Sequence, residues 1–192
     1  MKLRAFARWL GVLLVILAAA FLILVLFRIP VVMQKRASAE AVEYIKAQRL
    51  TLADVDGSNL PPKPDPALVD ATVEGVDAND NGIRDDLELA IFAKYPNSPY
   101  TRAAELQYAL ARSLYLTHAF DEKTWAAVAE QNERAGRCLS ALRVGFAETK
   151  RLSGEVEALI LNTELRKEIY ERAFAFTVTH SGGAAPYCDV EL

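Results

Sequence analysis

From Trp9 to Phe27 every position is apolar, nineteen residues of Leu, Val, Ile, Ala and Phe with a single glycine, Gly11. As a helix rising ~1.5 Å per residue, this run comes close to the roughly 30 Å hydrocarbon core of a bilayer. The pattern predicts a transmembrane segment. Ala18-Ala19-Ala20 offers a competing reading as the cleavage site of a signal peptide. The apolar run continues beyond it through Phe27, which would make an ill-suited mature N-terminus in water, so the length favours an uncleaved signal anchor. Pro30 is expected to break or kink the helix near where it leaves the bilayer. Residues 31–50 then carry Ala37, Ala41, Tyr44 or Ile45, and Gln48 at three- and four-residue spacing. That face is thin, and it predicts a juxtamembrane helix rather than a core element. Residues 51–67 have four prolines among Pro61-Pro62-Lys63-Pro64-Asp65-Pro66 and read as an extended, semi-rigid linker.

Beyond residue 68 the polarity pattern is helical throughout, with no period-two stretch. Leu87 to Tyr95 predicts a short helix stopped by Pro96. A second starts with Asn97 or Ser98 as cap and Pro99 at its first position, and runs to about Ala119. Its inward face is Ala103, Leu106, Leu110, Ser113 or Leu114, and Thr117. Asp121 caps a third, in which Trp125, Val128, Asn132, Ala135, Leu139, Leu142 and Phe146 alternate at three and four residues, a bundle seam. Lys150 to Gly154 reads as a break. A fourth helical region spans 155–161, restarts after Asn162-Thr163 and reaches about Thr179, with Leu165, Ile169, Ala173 and Phe176 as its stripe. Ser181-Gly-Gly-Ala-Ala-Pro186 ends regular structure.

Charge refines this picture. The net charge is −3, but residues 1–28 hold Lys2, Arg4, Arg8 and Arg28 and no acid, so the remainder stands at −7. A chain that acidic lacks the basic stripe a nucleic-acid partner requires. Lys2, Arg4 and Arg8 favour a cytoplasmic N-terminus, and Arg28, Lys35 and Arg36 beyond the span nearly cancel the vote. Cys138 and Cys188 are the only cysteines. An even pair fits one disulfide outside the cytoplasm, and two free thiols inside it. Tyr100, Tyr108, Tyr115 and Trp125 admit an aromatic groove, but helical spacing favours core. His118 and His180 each fall near a predicted helix end, where an imidazole suits the helix dipole. No motif of a nucleophile, a phosphate loop or a zinc-binding helix occurs.

One stretch carries specific chemistry, Asp77-Ala-Asn-Asp-Asn-Gly-Ile-Arg-Asp-Asp-Leu-Glu88. Asp77, Asn79 and Asn81 alternate, so their side-chain oxygens can converge on one hard cation. Gly82 follows where the chain must turn sharply. Ile83 would give a backbone carbonyl, Asp85 would act at the ninth position, and Glu88 would close the sphere with both oxygens. The spacing is that of an EF-hand calcium loop. The same residues also make good turn chemistry, with Asp85 and Glu88 opening a helix without any metal. Residues 68–76 make a poor entering helix, since Gly75 sits among β-branched Thr72, Val73 and Val76. The fragment Asp54-Val-Asp56-Gly57 is too incomplete to count as a second loop.

The run from Gly75 to Glu88 after a proline-rich stretch resembles the EF-hand and dockerin-type loop as it occurs in a group of proteobacterial membrane-anchored envelope proteins. That resemblance covers about residues 60–95. It implies an envelope location and a calcium loop with ligands at Asp77, Asn79, Asn81, Ile83, Asp85 and Glu88, and it implies no activity.

The expected architecture is therefore all-α. Residues 1–30 are the cytoplasmic N-terminus and transmembrane signal anchor, 31–67 a juxtamembrane helix and Pro-rich linker, and 68–192 a small helical bundle with one EF-hand-like Ca2+ loop. The expected role is that of a single-pass bacterial inner-membrane protein with a periplasmic soluble part, an interaction or scaffold module for an envelope partner with structural calcium. The alternatives are an envelope hydrolase using carboxylates near the calcium, and a cytoplasm-facing calcium sensor. A sensor would expose a Met-rich groove, yet the only methionines are Met1 and Met33.

Overall fold

The computed structural model describes residues 2–175 and 187–191, with side chains from residue 9 onward. Every regular element among them is a helix: α1 (Lys2–Ala47), α2 (Leu52–Asp56), α3 (Pro66–Val69), α4 (Asp85–Lys94), α5 (Pro99–Thr117), α6 (Glu122–Ala141), α7 (Phe146–Ile160) and α8 (Glu164–Ala173). The chain divides into a first unit, residues 1–40, and a second, residues 41–192.

The first unit is the apolar body of α1. The described part of this helix is long and apolar enough to cross a membrane, and none of its most apolar window is buried against protein. Trp9, Phe21, Leu24 and Phe27 all stand exposed. The helix runs on through Pro30 rather than breaking there. A proline removes one hydrogen bond, to the carbonyl four residues back, and the remaining turns carry the helix through.

The second unit is a bundle around α5, against which α2, α4, α6, α7 and α8 all pack. Leu106 and Ala109 are fully inaccessible, and Ala103, Ala104, Tyr108, Leu110, Ala111, Leu114, Tyr115 and Leu116 are also buried. A helix covered on so many sides has no single inward stripe, so the five positions read from periodicity underestimate its burial. One core joins Val55, Ile83, Leu87, Ile91, Leu106, Leu139, Leu152, Val156 and Ile160. Each such aliphatic side chain contributes about 1.5–3 kcal/mol by leaving water. A second, smaller core contains Ile45, Leu114, Tyr115, Ala127, Val128 and Ala173.

Several expectations are corrected. Ile45, near the C-terminus of α1, is fully buried, so this end of the helix is a core element. The first part of the expected linker is the helix α2, opened by a capping box between Thr51 and Asp54 and ended by a left-handed Gly57. Val55 anchors it to the core. The expected break at 150–154 lies inside α7. Gly154 costs about 1 kcal/mol of helix propensity, which burial of Leu152, Val156 and Ile160 outweighs. Conversely α6 ends at Ala141, because Arg143 and Gly145 take left-handed φ values and reverse the chain. Phe146 therefore opens α7 at 86% exposure instead of closing the seam. On α8 the fully buried side chain is Arg166, while the expected stripe residue Leu165 is exposed. Phe176, His180 and the 181–186 segment lie outside the described residues.

Cys138 and Cys188 are bridged, with Cα atoms 4.9 Å apart and a sequence separation of 50. The bridge docks the chain end on the bundle. Asp189 accepts hydrogen bonds from the Leu50 amide (3.1 Å) and from Arg134, and its own amide donates to Gln107 Oε1 at 2.9 Å. Tyr108 and Tyr115 are core residues, as their spacing suggested, and Tyr100 is exposed.

Candidate metal centre

Residues 70–84 form a loop between α3 and α4; the four-residue α3 ends at Val69, so no helix leads directly into Asp77, as β-branching and Gly75 suggested. Two arginines hold its ends. Arg166 of α8 donates to the carbonyls of Val69, Thr72 and Val73 and to the Asp70 carboxylate. Arg84, at the entrance of α4, donates to Asp86 and to the Leu159 carbonyl. Both guanidiniums are engaged by these partners.

Within the loop the backbone wraps around its own side chains. The Asp77 carboxylate accepts from the amides of Asn81 (3.2 Å) and Gly82 (2.8 Å). The Asn81 side-chain oxygen, Oδ1, accepts from the Ile83 backbone amide at 2.9 Å. Asp85 Oδ1 accepts from the Ala78 amide at 2.9 Å, and the Asp85 amide donates to the Val76 carbonyl at 2.8 Å. Gly82 has φ of +81°, and a Cβ there would lie 2.7 Å from Leu110 Cδ1 and 3.2 Å from Gln48 Oε1. The position needs glycine both for its backbone and for its contact with α5.

Glu88, one turn into α4, is fully inaccessible, and so is Asp85. Its Oε2 accepts from the amide nitrogens of Asn79 and Asn81, each at 3.1 Å. Three buried oxygens receive no hydrogen bond: Asn79 Oδ1, Asp85 Oδ2 and Glu88 Oε1. Burial is the main cause that pushes the carboxyl of Glu88 up to about 7, and it also raises those of Asp77 and Asp85. Mutual repulsion adds to it, Asp85 acting on both Asp77 and Glu88. The Ile83 side chain is fully buried in the core, which leaves only its backbone for a ligand.

The loop thus brings Asn79, Asn81 and Glu88 into hydrogen-bonding contact, with Asp77 and Asp85 folded around the same turn. Among the described residues no three His, Cys, Asp or Glu side chains converge closely enough to hold an ion between them. The amide nitrogens of the two asparagines occupy Glu88 instead, so donor oxygens from carboxylates alone do not define a centre.

Sequence reasoning missed the contribution of α2. Asp54 is buried and accepts from the Thr51 amide (2.7 Å), the Thr51 hydroxyl (2.6 Å) and Asn59 Nδ2 (2.7 Å). The Asn59 carbonyl accepts from Asn79 Nδ2 at 2.7 Å. The one signal available was the Asp54–Gly57 fragment, which was too short to rank as a site. Beside the loop lies a cavity of about 150 Å³, lined among others by Tyr44, Glu74, Asp77, Arg84 and His118. His118 ends α5, stacks on Tyr44 with centroids 4.6 Å apart and contacts Thr117 Oγ1 through Nδ1. Burial lowers its pKa, consistent with a packed helix-terminal imidazole. Compared with known proteins, the chain matches no family model, no curated protein and no solved structure.

Proposed function

We propose that this chain is a single-span, membrane-anchored envelope protein whose helical domain is fixed by one calcium ion and serves as an interaction module. The observation that carries the calcium reading is the trio of buried, undonated oxygens on Asn79, Asp85 and Glu88. They belong to a loop whose donors stand at the spacing a calcium ion requires. Leaving such atoms unpaired costs about 1–3 kcal/mol each, and a hard cation is the partner that carboxylate and amide oxygens accept without a proton. The side chains of Asp77, Asn79, Asn81, Asp85 and Glu88 and the backbone of Ile83 would hold it. Its charge would offset the burial, and the smaller mutual repulsion, that lift the three carboxyls.

The role is structural rather than that of a switch, because a single loop without an entering helix has no helix pair to open. The hydrolase reading is the weaker one: Asp85 and Glu88 are fully buried, where a substrate does not reach. The periplasmic placement rests on the disulfide, which persists in oxidising compartments, together with the long apolar helix.

The test is calcium titration of the full chain in detergent micelles by calorimetry, with melting curves in calcium and in chelator. Binding with a raised Tm, lost in Asp77→Ala and Glu88→Ala, supports the reading. A folded chain that binds neither calcium nor magnesium at millimolar concentration overturns it.

A further inference from the structure

The cavity of about 150 Å³ beside the loop is bounded by α5, by Tyr44 of α1 and by residues between 73 and 84. A space of that volume accepts a guest of about benzene's size. Its walls are of two kinds. Val73, Leu114 and Leu116 give aliphatic surface, while Tyr44 and His118 form an aromatic step, their rings 4.6 Å apart at the centroids and 17° from parallel. Leu114 is buried and Tyr44 is 44% exposed, so the aromatic step lies on the solvent side.

The charge around this space is negative on balance. Glu74 and Asp77 line it. The charges of Asp77 and Asp80 reach the Tyr44 hydroxyl, adding to the burial that raises its pKa. Arg84 lines the cavity too, but its guanidinium is engaged by Asp86 and the Leu159 carbonyl. His118 supplies no positive charge at neutral pH, since burial lowers its pKa. Asp77 accepts loop amides on both carboxylate oxygens, which leaves the exposed Glu74 as the carboxylate that can meet a guest. Acceptors for N–H donors are few, because Thr117 Oγ1 is shared between the Ser113 carbonyl and His118 Nδ1. A primary ammonium would bring three N–H groups that Glu74 alone does not satisfy. A quaternary ammonium brings none, and offers methyl groups to the aliphatic wall and a diffuse charge to an aromatic face.

We infer that this cavity is a binding site for a small quaternary ammonium, its charge against Glu74 and the Tyr44 ring and its methyl groups toward Val73, Leu114 and Leu116. The inference goes beyond the calcium reading and does not rest on it. Asp77 belongs to both places, so an ion in the loop would lessen the negative charge of one wall and leave Glu74 as it is.

The probe is choline, titrated into the full chain in uncharged micelles and followed by NMR of the histidine rings. The chain has two histidines, and His180→Gln assigns the signal of His118. Choline should shift that signal saturably, with a dissociation constant on the order of millimolar for so small a guest. The neutral analogue, in which a tert-butyl group replaces trimethylammonium, should bind at least about threefold more weakly. Glu74→Gln should erase most of that preference. Ser113→Leu, which adds bulk to the lining, should abolish the shift, and melting curves show that both variants fold. Saturating calcium should weaken choline by no more than about threefold and then have no further effect. No saturable shift by about 100 mM choline, equal binding of the neutral analogue, or a preference that survives Glu74→Gln overturns the inference. So does a shift that persists in folded Ser113→Leu. A choline constant that climbs in proportion to calcium marks direct competition at the loop, and overturns the cavity site while leaving the calcium site standing.

Discussion

Arg166 and Asp70 are 96 residues apart in the chain and meet through a 2.6 Å bond from Nη1 to Oδ1. The same guanidinium takes the carbonyls of Val69, Thr72 and Val73. A side chain from the last described helix therefore shapes the turn that delivers Asp77 to its place. Arg166 is wholly inaccessible, and its charge is tolerable inside because each face of the guanidinium finds an oxygen.

Arg166→Met should remove this brace while keeping an apolar stem of similar length. Three backbone carbonyls would be left without their donor. We expect a loss of about 3–5 kcal/mol in denaturant unfolding, together with weaker calcium binding. Arg166→Lys should recover only part of the loss, since an ammonium has three donors and no planar fork.

Cys138→Ala with Cys188→Ala should destabilise the chain by about 4 kcal/mol, the entropy of closing a loop of this length. Reduction of the natural protein should act in the same direction. The chain end carrying Asp189 would leave Leu50, Gln107 and Arg134. Hydrogen exchange should then report faster exchange of the Leu50 amide, which donates to Asp189.

Gly82→Ala tests the loop turn. Its left-handed φ and the 2.7 Å approach of the added carbon to Leu110 should together cost on the order of 1–3 kcal/mol. Calcium affinity should fall with it, because relief of the clash moves the loop off α5. Adding Leu110→Ala opens space without curing φ, so that pair should recover no more than part of the affinity.

Glu105 sets a pH dependence independent of the metal. It lies on α5 at 2% exposure, facing Tyr95, with Oε1 undonated. Burial, ahead of all other causes, lifts its carboxyl to about 7. A carboxyl raised on folding is held better protonated than charged, so its contribution is present below about pH 4.5. It is lost as pH rises from there to about 7. At about 1.4 kcal/mol per pKa unit the loss amounts to a few kcal/mol. Glu105→Gln should lessen that slope, measured as the difference in unfolding free energy between pH 5 and pH 8 in chelator, while Glu88, also raised to about 7, keeps its own share. An unchanged slope would refute the assignment to Glu105.

What the sequence determined by itself is what local interactions govern. The apolar run from Trp9 to Phe27 has to be a helix fit for a bilayer, since no other element satisfies its backbone there. The starts of α5, α6 and α8 follow from Ser98-Pro99, Asp121 and Thr163, which act within one turn. Where helices stop, and which charged groups go inside, was decided by tertiary structure. Leu152 and Ile160 carried α7 past the glycine that seemed to end it, because burial outweighed propensity. Val55 and the Thr51–Asp54 cap turned an apparent linker into α2, which periodicity does not register in five residues. Arg166 and Asp189 drew their roles from partners up to 139 residues away. A charge is buried only where oxygens from distant segments assemble around it, and no local pattern of polar and apolar positions encodes that assembly.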